Sequence, residues 1–126
     1  MPLLNEIIKN DNVEELKKYI SSLKNTEEEE KFYKFNTNII SALMNGSKNS
    51  FSYLINLNSF DLTDCNNDLF SDCVGYYCET GDSFFYLKLL EKRAVVNTVD
   101  TKGYGEDPEV IVHINYFKNK DKVLNF

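Results

Sequence analysis

The feature that most constrains this chain is an internal period: a step of 35 residues carries Asp11 onto Gly46 and Gly46 onto Gly81. The segment from Ile7 to Ile20 lies over Ala42 to Ile55 without a gap, and the same step lands on Tyr77 to Leu90. Under it Leu16, Phe51 and Tyr86 coincide, as do Tyr19, Leu54 and Leu89, and Ile20, Ile55 and Leu90. Gly and Asp suit a tight turn at a helix end, because they tolerate a left-handed backbone. Apolar residues at i, i+3 and i+4 form a stripe on one face of a helix. Each copy therefore reads as a helix, a turn and a second amphipathic helix. So short a pair cannot bury its own stripe, which requires successive pairs to stack.

With the period in place, particular segments acquire meaning. Thr37-Asn-Ile-Ile-Ser-Ala-Leu-Met-Asn-Gly46 resembles the T-P-L-H-L-A-A-x-x-G helix and turn of the ankyrin repeat family, with Thr37, Ala42 and Gly46 in matching places. Gly81 to Asn97 is similar to that family's G-x-x-E-V-V-K-L-L-L-x-x-G-A-D-V-N stretch, and Asp100-Thr-Lys-Gly103 resembles its D-x-x-G opening. The resemblance implies a mostly all-α, ankyrin-like stack of three to four helix-turn-helix repeats with short finger loops. The length of 126 residues fits a single domain over residues 1–126, and the approximate repeats are 1–25, 36–60, 71–97 and 108–126. The chain departs from the family in three ways. No copy carries the full T-P-L-H, Tyr76 and Tyr77 stand where ankyrins prefer small residues, and the period exceeds the usual value of about 33. Tyrosines there imply splayed helices or a filled inner groove.

Two readings of the region after the first pair remain open. Thr26-Glu-Glu-Glu29 has the form of a capping box, and Phe32, Phe35, Ile39 and Leu43 continue an apolar stripe, so one helix could run from Glu27 to Met44. Asn36-Thr37-Asn38, three weak helix formers, favours a break, with an enlarged finger and a short helix starting near Thr37. An unrelated helical bundle accommodates the first reading. The segments Ser59 to Phe70 and Val95 to Pro108, rich in Asp, Asn, Gly and Thr, read as fingers.

Composition narrows the function. The 126 residues carry 20 acidic against 14 basic side chains, a net charge of −6, so no cationic footprint exists for a phosphate backbone. An acidic surface suits a basic protein partner. The opening Met1-Pro-Leu-Leu-Asn-Glu6 has no basic and apolar leader pattern, and no apolar run approaches the roughly 18 residues of a membrane span. A cytoplasmic location is expected, without membrane contact.

Motifs for chemistry fail one after another. Asp64-Cys-Asn-Asn-Asp68 begins like a calcium loop, yet Leu69 replaces the required Gly and Gly75 the closing Glu. Cys65, Cys73 and Cys78 lack the CxxC spacing of a zinc pair and read as free structural thiols. His113, the one histidine, sits in Val110-Ile-Val-His-Ile114 and reads as a satisfied structural residue on a final helix or strand. Gly103-Tyr-Gly105 is a turn and not a phosphate cradle. Neither a cofactor nor a metal is expected, and no enzyme motif is present.

The expectation is therefore a binding protein. Its finger residues offer Asp61, Asp64, Asp68 and Asp72, then Asp100, Glu106 and Asp107, interleaved with Tyr76, Tyr77 and Tyr104, a mixture of charge and aromatic anchors that suits an interface. The leading expectation is an acidic immunity or inhibitor protein that neutralises a basic toxin or nuclease. The alternatives are a viral or pathogen ankyrin protein that engages a host factor, a scaffold whose apolar last residues self-associate, and an enzyme of unrecognised type.

Overall fold

The computed structural model describes residues 3–57, 59, 66–92 and 108–124, and those residues form eight α-helices and no strand. The chain divides into two compact units, Met1–Asp61 and Leu62–Phe126. No helix among the described residues is long and apolar enough to cross a membrane.

The first unit contains α1 (Leu4–Lys9), α2 (Val13–Ser22), α3 (Glu27–Lys34), α4 (Thr37–Met44) and α5 (Lys48–Ile55). Helices α1 and α2 form one hairpin, α4 and α5 another, and the hairpins stack like on like: α1 packs against α4 and α2 against α5. The two turns share one construction. After α1, Asp11 adopts φ 53°, its N–H donates to Ile8 O (3.0 Å) and that of Asn12 to Ile7 O (3.0 Å). After α4, Gly46 adopts φ 67°, its N–H donates to Leu43 O (3.0 Å) and that of Ser47 to Ala42 O (2.8 Å). Both are Schellman endings, in which a left-handed residue lets two backbone donors satisfy carbonyls that the helix end leaves without partners.

Of the stripes that the period predicts in this unit, Leu16, Phe51, Leu54 and Ile55 are buried, while Tyr19 and Ile20 are half-buried. Ile7, Ile8, Leu16, Ile39, Ala42, Leu43, Phe51, Leu54 and Ile55 form the core of this unit, where a fully buried aliphatic or aromatic side chain contributes about 1.5–3 kcal/mol. Between the hairpins the structure rejects the first reading of residues 27–44 and keeps from the second the break and the short helix starting at Thr37, but not its finger. The single long helix does not form, because Phe35 is extended (φ −122°, ψ 151°) and α4 begins anew at Thr37. The expected finger is itself largely helical, since the apolar Phe32 gives α3 a side chain to bury. Nor does the capping box form. Thr26 occupies the N-cap position, but its hydroxyl donates back to Leu23 O (2.5 Å) and makes no cap to α3.

The second unit contains α6 (Asn66–Thr80), α7 (Phe84–Lys92) and α8 (Pro108–Leu124), with α6 packed on α7 and α7 on α8. At the α6–α7 turn Gly81 has φ 79° and donates to Tyr77 O (2.7 Å), closing the helix with one left-handed residue. Asp82 Oδ1 accepts from Phe84 N (3.0 Å) at the start of α7. Asn66 to Phe70, expected to belong to a finger, forms the first turns of α6. There Leu69, Phe70, Cys73 and Val74 make a buried stripe that outweighs the turn preference of the preceding Asn and Asp residues. Pro108 opens α8, a position where its missing N–H is no loss, and Val110 and Ile114, four apart, are its buried contacts. Thus the β-branched run around His113 is helical.

Candidate functional site

Two arrangements stand out, one in each unit, and both are built by hydrogen bonds between elements distant in sequence. In the first unit the hairpins are stapled together. Ser47, the N-cap residue of α5, is buried and turns its hydroxyl away from its own helix to donate to Ile8 O (2.5 Å) at the end of α1. The N-terminus of α5 is capped instead by Asp11, whose carboxylate accepts from Asn49 N (3.2 Å) and Ser50 N (2.7 Å). A carboxylate on the first free N–H groups of a helix satisfies them and opposes the positive end of its dipole. By contrast α2 is capped locally, with Asn12 Oδ1 accepting from Glu15 N (3.2 Å). Asp11 therefore has two roles, left-handed turn residue of one hairpin and cap of the next.

In the second unit a polar and aromatic cluster ties α8 to α6 and α7. Tyr86 is fully buried, and its hydroxyl shares a hydrogen bond of 2.6 Å with Nδ1 of the half-buried His113. One turn earlier on α8, Glu109 accepts a hydrogen bond from the Tyr77 hydroxyl of α6. The rings of Tyr77 and Tyr86 meet edge to face at 5.5 Å, and Phe70 lies 6.2 Å from Tyr86. This gives His113 the structural partner expected of it. Sequence reading missed the pairing, although the four-residue spacing of Glu109 and His113, which puts both on one helix face, was a usable signal.

Of the binding residues expected from the sequence, the four that are described, Asp68, Asp72, Tyr76 and Tyr77, all lie on α6. Asp72 lies exposed on α6, and Asp68 falls within the first turns of that helix. Tyr76 and Tyr77 are half-buried packing residues of α6: Tyr76 stands edge to face on Phe85 (5.0 Å), and Tyr77 on Tyr86. Asp61, Asp64, Asp100, Tyr104, Glu106 and Asp107 lie outside the described residues, as does Cys65.

Acidic charge is most concentrated on α3, where Glu27, Glu28 and Glu30 are exposed, and Lys31 pairs with Glu28 (3.6 Å) on the surface. Tyr33 on the same helix titrates above its ordinary value, chiefly through burial and then through the nearby Glu29 and Tyr53. The Cys73 thiol is pushed well above its usual range, first by burial and then by Asp72, the reverse of what an activated nucleophile needs. Cys78 is free and exposed. Among the described residues no group of three His, Cys, Asp or Glu side chains is placed to hold a metal ion.

Compared with protein-family models, with characterised proteins and with solved structures, the chain finds no match.

Proposed function

We propose that this chain is a protein-binding module of degenerate ankyrin-like repeats, and that it acts as an acidic inhibitor or immunity protein covering a basic partner such as a toxin or nuclease. The observation that carries the reading is the like-on-like stacking of the two hairpins in the first unit, joined by the Asp11 and Ser47 hydrogen bonds. Stacks of this kind present adjacent helices and turns side by side as extended surfaces suited to one macromolecular partner. The net charge of −6 and the exposed glutamates of α3 set the sign of that partner, because complementary fields raise encounter rates and reject like-charged competitors.

The test pairs the purified chain with a purified cationic nuclease or toxin domain encoded by an adjacent gene. Inhibition near equimolar ratio, with association slowing as salt rises from about 0.05 to 0.5 M, is the expected result. Full nuclease activity under excess chain overturns the inhibitor reading. Salt-independent binding to an acidic protein overturns the assignment of partner charge while leaving the binding module in place.

A further inference from the structure

We propose that α3 is a clasp that undocks from the first unit and melts in one step while the two stacked hairpins stay folded. Helix-on-helix packing in this unit runs between α1 and α2, α4 and α5, α1 and α4, and α2 and α5; among the described residues α3 has no packing of that extent. Aromatic rings help attach it. Phe32 is buried, with its ring 6.5 Å from Tyr19 of α2 and 5.1 Å from Tyr33, and Tyr33 is half-buried near Tyr53 of α5. Six of its eight residues, Glu27 to Lys31 and Lys34, are charged and spread around the helix. A helix of this length does not persist in water without tertiary contacts, so docking and helicity are lost together.

The joints on either side are non-helical. Asn25 is left-handed at φ 64° on the α2 side, and Phe35 is extended on the α4 side, so rotation there need not disturb either neighbouring helix. The hydrogen bonds that staple the hairpins, from Ser47 to Ile8 and from Asn49 and Ser50 to Asp11, bypass α3 altogether. Undocking therefore uncovers the Phe32 and Tyr19 rings and frees the glutamate-rich turn without breaking the stack.

Native-state amide exchange on the full chain, read by mass spectrometry, tests it. Amides of Lys31 to Lys34 should be protected only about 10- to 100-fold, the scale set by burying one aromatic side chain, and that protection should not change with low urea. Amides of α4 and α5 should exchange far more slowly and through a urea-sensitive opening. A Phe32→Ala variant should abolish protection in α3 and leave α5 unchanged, and Phe32→Leu should retain part of it. Equal protection and equal urea dependence for α3 and α5 in the unmodified chain would overturn the proposal, as would a Phe32→Ala variant in which α5 loses protection along with α3.

Discussion

Asp11 is the position where one substitution separates two physical effects. Its carboxylate accepts from Asn49 N and Ser50 N, and its backbone sits at φ 53°. Losing a cap of this kind costs about 1 kcal/mol and up to ~2, to which the interaction of the charge with the helix dipole contributes ~0.3–1 kcal/mol. Holding alanine in a left-handed conformation costs about 1 kcal/mol more. Asp11→Ala should therefore destabilise the first unit by about 2–3 kcal/mol. Asp11→Gly loses the cap but relieves the backbone, for about 1–2 kcal/mol. Asp11→Asn keeps an acceptor oxygen and tolerance of the left-handed region, for about 0.5–1 kcal/mol. Urea unfolding of the three variants, with the slope checked to be constant, reads the order Ala, Gly, Asn. Amide exchange at Asn49 and Ser50 should rise in all three. If every variant fell within about 0.5 kcal/mol of the parent, the cap across the hairpins would contribute nothing measurable. If glycine were as harmful as alanine, the backbone part of the reasoning would be wrong.

Two glycines give a matched pair, because an added Cβ meets nothing within 4 Å at either Gly75 or Gly81, and only Gly81 has a positive φ. Gly75→Ala in the middle of α6 should stabilise by about 0.5–1 kcal/mol, whereas Gly81→Ala should destabilise by about 1 kcal/mol; thermal melts that shift in the same direction would contradict this. Tyr86→Phe removes only a hydroxyl from the buried cluster and should cost about 1 kcal/mol in urea unfolding, and no loss would mean that the bond to His113 contributes nothing to stability. Because burial, Glu29 and Tyr53 raise Tyr33 above its ordinary value of 10.0, the neutral phenol stabilises docked α3 fully below that pH. This contribution is lost as pH climbs through the raised value. Protection of α3 amides, corrected for intrinsic exchange, should fall above about pH 10 and do so less in Tyr33→Phe; identical alkaline profiles would refute the link.

What could be read along the chain was whatever local chemistry repeats. The left-handed turn positions, Asp11, Gly46 and Gly81, and the buried positions, Leu16, Phe51 and Tyr86, follow from the 35-residue step, and all six are found as expected. Backbone sterics at a helix end and the helical stripe are properties of a few consecutive residues, so a pattern can encode them. The fate of residues 27–44 was not legible, because capping box, apolar stripe and weak helix formers gave conflicting local signals. In the structure Phe32 is buried with its ring 6.5 Å from Tyr19, and the helix breaks at the extended Phe35. The expected binding residues fared differently. Loop composition nominated Asp68 and Asp72, yet both lie in α6, where a stripe of buried side chains overrode the turn preference.

The sequence by itself determined that the chain is helical, where three turns fall, and which side chains line the hairpin cores, since each depends on residues within a turn or two of one another. Tertiary structure alone decided which donor each acceptor would find. Ser47 turned from capping its own helix to Ile8, Asp11 reached across 39 positions to Ser50, and Tyr86 met His113 27 positions away. A hydrogen bond is settled by distance and direction in space, and several side chains nearby in sequence could have competed for each of these groups. Stacking brought one partner within reach.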